Sequence, residues 1–102
     1  MKPEKLLKDA NHIINQRAKE YGDTKEMFGK ISRYWSIYLD KVITIEDVSI
    51  MMALMKIART SKDKKADSYV DCINYCAFAG SFAIEAENKE IELNEVMQYF
   101  EG

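Results

Sequence analysis

Proline is almost missing from this chain of 102 residues, which has one, and glycine occurs only four times. A β-sandwich needs a turn signal every few residues, and β-branched runs are scarce as well, so the balance favours helices over an all-β architecture. An excess of one charge is also lacking. Fifteen Lys and Arg against seventeen Asp and Glu leave a formal charge of −2, which provides no overall basic field for duplex nucleic acid. No uninterrupted apolar run approaches bilayer-spanning length, and the opening stretch MKPEKLLKDA is too polar for a signal peptide. A cytoplasmic protein without a membrane partner is therefore expected. The two cysteines, Cys72 and Cys76, are four apart on one helix face. That spacing is neither a zinc knuckle nor a redox CxxC, and it suggests a buried, reduced pair. The single histidine, His12, reads as an ordinary helix residue.

What is present is 47% hydrophobic and 31% charged residues, the proportions of a globular domain. A chain of this length builds one domain, residues 1–102, with a small core, and a homo-oligomer is expected because burial against a partner supplements limited self-burial.

Apolar residues at Leu6, Leu7, Ala10, Ile13, Ile14, Ala18 and Tyr21 recur at helical spacing after Pro3, with Gly22 placed for a left-handed cap. Asp23 can cap a second helix, with Glu26 completing a capping box. That helix carries the stripe Met27, Phe28, Ile31, Tyr34, Trp35, Tyr38 and Leu39, core in the main, from which a ring could still line a pocket. Thr44 and Asp47 form the capping box of a third helix, apolar almost all round from Val48 to Ala58 and so expected to be the buried central one. After a lysine-rich turn, a fourth helix is predicted over about 67–88. Gly80 and Ser81 in its middle suggest close approach by another helix or a ligand, and Asn94 is placed to cap a last short helix bearing Val96, Met97 and Phe100. The predicted architecture is all-α, a compact four- to five-helix bundle around an antiparallel hairpin of about 44–60 and 67–88.

Four charges converge across that hairpin. With its turn centred near residue 63, Arg59 lies level with Asp67 and Lys56 beside Asp71. Local helix chemistry accounts for all four: Asp67 or Ser68 as a cap, Asp71 as the box partner of Ser68, and the bases near a helix C-terminus. A ligand site accounts for them equally. Lys56 falls in the most apolar helix, where an unpaired ammonium is expensive, so it needs a carboxylate, a phosphate or another anion. Arg17 and Tyr21, followed by Gly22 and Asp23, bring further polar groups without a core role. Arg17, Lys56 and Arg59 would hold phosphates, and Tyr21, Trp35 or Tyr75 would stack on a base.

The succession QRAKEYGD, FGKISRYWSIYL, ITIEDVSIMMALMKIAR and DSYVDCINYCAFAG, covering roughly Ile13 to Gly80, resembles a family of small, uncharacterised phage and prophage proteins. Its pattern is an R-x-x-x-Y-G-D corner, an aromatic-rich helix, an E-D-V helix ending K-I-A-R and a D-S-x-V-D helix. Asn74 and Cys76 depart from it, standing where smaller residues are expected. Family members are described as similar to MazG-like all-α nucleotide pyrophosphohydrolases, and that likeness implies a helical, oligomeric protein that handles nucleotides. The MazG-like enzymes hold Mg²⁺ with an E-E-x-x-E and an E-x-x-D helix, ligands of the hard-oxygen kind that ion requires. The matching groups here are Glu46 and Asp47 with Asp67 and Asp71, but Ile50 replaces the third acid and Lys56 and Arg59 lie level with the acids.

The resulting expectation is a phage-derived helical protein that binds a nucleotide or other phosphorylated ligand without turnover, through Arg17, Tyr21, Asp23, Trp35, Lys56, Arg59, Asp67, Asp71 and Tyr75. It calls for no cofactor and places the protein in the host cytosol, where it would counter host defence. The alternatives are a Mg²⁺-dependent pyrophosphohydrolase with Asp47, Asp67 and Asp71 as ligands, and a module that binds a host protein.

Overall fold

The computed structural model describes the backbone of residues 1–21 and 23–101 and the side chains of 1–20 and 23–98. The Gly22 cap and the side chains of Tyr21 and Phe100 lie outside the described residues. Four helices follow one another, α1 (Pro3–Tyr21), α2 (Thr24–Leu39), α3 (Ile45–Thr60) and α4 (Ala66–Glu101), with no strand among the described residues. The antiparallel α3–α4 hairpin is the main packing unit; α1 packs on α4, and α2 on α3. No helix among the described residues is long and apolar enough to cross a membrane.

Side-chain chemistry sets the helix ends. Asp23 caps α2 by accepting from the Lys25 N–H at 2.9 Å. The box expected with Glu26 does not form, because the carboxylate is engaged one residue earlier. Asp40 closes α2 in the left-handed region (φ 52°, ψ 46°), which short polar side chains tolerate best after glycine. The following loop is pinned back onto α2, where the Ser36 hydroxyl accepts from the Ile43 N–H at 2.8 Å. Thr44 and Asp47 make the predicted reciprocal box, with bonds of 3.0 Å and 2.9 Å. Thr44→Ala should cost about 1 kcal/mol, read as a fall of about 4–8 °C in Tm.

Two further expectations are corrected. The predicted last helix is not separate: α4 runs unbroken for 36 residues, close to the 57 Å long axis of the molecule at about 1.5 Å per residue. No proline or glycine interrupts residues 81–101, and Asn94 costs well under 1 kcal/mol in a helix interior. Nor is α3 buried all round. Ile50, Met51, Leu54, Met55 and Ile57 are 40–57% exposed, since α2 and α4 cover only one side of the helix.

The core is small. Phe28, Val48 and Phe82 form its centre, with Ile31, Trp35, Ile43, Ile45, Met52, Tyr75 and Phe78 half-buried against them. Phe28 lies edge-on to Phe78 and Phe82, with ring centroids 5.8 and 6.1 Å away, and stacks on Tyr75 at 6.1 Å. Such pairs add to the area the rings bury. This ring carries the aromatic contact by which α2 reaches across the hairpin to α4.

Candidate functional site

On the side of α4 that faces α1 and α2, a row of polar and aromatic residues interrupts the apolar packing. Asn74 is buried and donates from its side-chain nitrogen to the Ala10 carbonyl at 3.0 Å, tying α4 to α1. One turn earlier Asp71 is only 8% exposed. Its carboxylate meets Lys56 Nζ of α3 at 2.9 Å and Arg17 Nη1 of α1 at 3.5 Å. The expected Ser68–Asp71 box is absent: α4 starts at Ala66, the Ser68 N–H donates to the Lys65 carbonyl, and Asp71 turns inward. A buried carboxylate is tolerated because Lys56 neutralises it in a largely desolvated pair.

Arg17 is placed differently. Its side chain is about half exposed, and the longer contact to Asp71 leaves most of its five donors free for other partners. Two cations and one anion give the cluster a net charge of +1. Beside it opens a cleft lined by Ile14 and Arg17 of α1, Thr24, Met27 and Phe28 of α2, and Asp71, Asn74, Tyr75 and Phe78 of α4. Its cavity volume of about 80 Å³ takes several waters or one small planar group, not a whole nucleotide.

Of the residues singled out from the sequence, the structure brings Arg17, Lys56, Asp71 and Tyr75 together. Asp23 stands beside them as the α2 cap, next to the cleft residue Thr24. Trp35 packs on the core instead of lining the cleft. Arg59 and Asp67 are exposed, and no ion pair joins them; Arg59 lies at the hairpin tip with Lys62, Asp63, Lys65 and Ser68. Tyr21 is outside the described side chains. Among the carboxylates considered for a metal, Asp47 serves the α3 cap, Asp71 is ion-paired and Asp67 faces solvent. Among the described residues no three His, Cys, Asp or Glu side chains gather as a metal-binding group. The sequence did not place Ile14, Thr24, Met27, Asn74 or Phe78 at a site, and it offered Phe28 only as one ring of a stripe from which a ring could line a pocket. Of the unplaced residues Asn74 carried a signal, as an amide one turn from Asp71 on an apolar face.

Two further groups depart from their ordinary ionisation. Glu85 accepts from Lys25 at 2.5 Å and pairs with Lys89 at 3.2 Å. Those hydrogen bonds hold its carboxyl below the usual range and push the Lys25 ammonium up. This network is exposed, so it locates the start of α2 against α4 more than it stabilises the fold. Burial pushes the Cys72 thiol up, with Cys76 beside it adding to the shift. Both thiols are free, and Cys76 is exposed, not buried as expected, because its face of α4 is uncovered.

The fold and the cleft define a small all-α protein with a one-sided, partly cationic pocket. The chain belongs to the family described as a domain of unknown function, DUF6378, whose model matches residues 5–83. It is 44% identical over 73 residues to the Gene 55 protein of Mycobacterium phage L5, covering 69% of this chain and 47% of that protein. It is 39% identical over 74 residues to the Gene 55 protein of Mycobacterium phage D29, covering 71% and 49%. The chain thus spans about half the length of the curated relatives it matches. No solved structure matches it.

Proposed function

We propose that the protein binds a small phosphorylated ligand of the nucleotide class at the α1–α2–α4 cleft and holds it without turnover. The observation that supports this most directly is Arg17, half exposed at the rim while Lys56 neutralises the Asp71 beneath it. Asp71 orients the guanidinium without cancelling the charge of the cluster, leaving a fork suited to two phosphate oxygens. Tyr75, Phe28 and Phe78 supply an aromatic wall. The small cavity would receive one planar part of the ligand, with its phosphates outside against Arg17. Absence of turnover is favoured because Asp47 and Asp71 are engaged in a cap and an ion pair. The likeness to phage proteins supports a role inside an infected cell, where sequestering a signalling nucleotide would blunt host defence.

Thermal-shift measurements with mono-, di- and cyclic nucleotides test the proposal. A ligand at a hundredfold excess over its Kd should stabilise by about 2.7 kcal/mol. Arg17→Gln should abolish the shift yet change the ligand-free stability by no more than about 0.5 kcal/mol, as expected for an exposed side chain. Release of pyrophosphate from a nucleoside triphosphate with Mg²⁺, lost in Asp71→Ala, would replace this proposal with the pyrophosphohydrolase. No shift with any nucleotide would favour a host protein as partner.

A further inference from the structure

We infer that the outer side of the α3–α4 hairpin is covered by a second copy of this chain, packed antiparallel about a two-fold axis perpendicular to the helices. The chain exposes 8026 Å² at a mass of 11.8 kDa, about 2,100 Å² more than the roughly 5,900 Å² of a folded monomer of that mass. Its radius of gyration of 16.8 Å likewise exceeds the about 13 Å of a compact domain. Part of this excess is the projecting end of α4. The remainder suits the roughly 1,000 Å² or more that each copy contributes to an obligate homodimer.

The sequence shows where that surface lies. Ile50, Met51, Leu54 and Ile57 are exposed on α3, and Tyr69, Cys76, Gly80 and Ile84 on α4. Steps of three, four and seven put each set on one helix face, turned away from α1 and α2. On α4 this face is opposite the cleft, so the interface is independent of the proposed ligand. Between Asp47 and Arg59, and between Asp67 and Glu85, the only charged side chains are Lys56 and Asp71, which are paired with each other on the inner side. A Cβ at Gly80 would meet nothing within 4 Å in the single chain. In that chain the glycine costs about 1 kcal/mol against alanine and gains no contact; against a second helix it permits close approach.

Charge selects the orientation. The hairpin tip is basic, with Arg59, Lys62, Lys64 and Lys65 outnumbering Asp63 and Asp67, and the opposite end is acidic, with Asp40, Glu46, Asp47, Glu85 and Glu87 outnumbering Lys25, Lys41 and Lys89. A two-fold axis along the helices would set tip against tip and repel. The perpendicular axis sets each basic tip on the other copy's acidic end, and turned about Leu54 it puts Glu46 of one copy level with Lys62 of the other.

Sedimentation equilibrium should give twice the chain mass at micromolar concentration. Leu54→Glu should weaken association at least about a hundredfold, because it buries an unpaired charge. Should that variant fail to fold, the charge pair decides. Glu46→Lys and Lys62→Glu should each weaken association several-fold, and together restore it to within about twofold. Gly80→Leu should lower Tm in the dimer. A monomer at 100 µM, an oligomer indifferent to Leu54→Glu, a charge swap that fails to restore, or a rise in Tm with Gly80→Leu would each overturn the proposal.

Discussion

Phe28→Ala is expected to cost about 3–5 kcal/mol, the largest loss of any single truncation in this chain. The ring is 3% exposed and touches Tyr75, Phe78 and Phe82, so its removal leaves a cavity that three large neighbours border. Few buried residues surround it to collapse inward, and the expected cost is a large share of the about 5–15 kcal/mol that a domain commands in total. The effect should be polarised, because Phe28 is the buried contact between α2 and α4, whose other link, Lys25–Glu85, is an exposed ion pair. Urea unfolding should show a lower midpoint, and near-ultraviolet circular dichroism should lose the aromatic signal before far-ultraviolet helix content falls. Phe28 also walls the cleft, so any nucleotide-induced thermal shift should vanish with it. Phe28→Leu, which retains most of the buried volume, should cost about 1–2 kcal/mol. Tyr34→Ala, on the same helix but 63% exposed, should stay within about 0.5 kcal/mol. That contrast separates the core ring from its neighbours on an aromatic stripe that looks uniform in the sequence.

How much was legible follows from the range of each interaction. Local chemistry was readable: Thr44 with Asp47, Asp23 as a cap, and the hairpin between two apolar runs all depend on residues a few positions apart. Hydrophobic periodicity was readable as a wish for burial, but not as the identity of what does the burying. Hence α3, apolar on nearly every side, was expected at the centre of the chain's own core, whereas its outer side faces solvent in the single chain. The charged clasp was half legible. Arg59 and Asp67 sit where α3 ends and α4 begins, so their side chains splay outward, while Lys56 and Asp71, one turn deeper, are held between the packed helices. Arg17 reaches Asp71 from a helix 54 positions away in the sequence, and no local spacing announces a contact of that kind.

Lys56→Met should cost about 3 kcal/mol, the lower end of what breaking a buried ion pair costs, and lower Tm by about 12–24 °C. The Lys56 and Asp71 side chains are only 16% and 10% exposed, so neither charge is screened well enough to be abandoned cheaply. Arg17 remains at 3.5 Å and keeps the loss from being larger. Adding Asp71→Asn removes the stranded carboxylate, so the double variant should recover much of the stability lost by Lys56→Met alone; that recovery measures the pair's coupling. The same two variants distinguish a clasp that only holds helices from one that also holds a ligand. In Lys56→Met the cluster falls from a net charge of +1 to zero, Arg17 is the sole counter-ion of Asp71, and affinity for a phosphorylated ligand should fall at least about tenfold in the folded fraction. In the double variant the Arg17 charge is restored to the site, but the carboxylate that oriented it is gone. Binding should return only in part, with a steeper loss as salt is raised, because an untethered guanidinium attracts phosphate without presenting a fixed fork to it. A double variant that binds as tightly as the unmodified protein would leave Asp71 and Lys56 with a purely structural role and Arg17 as the whole of the anion site.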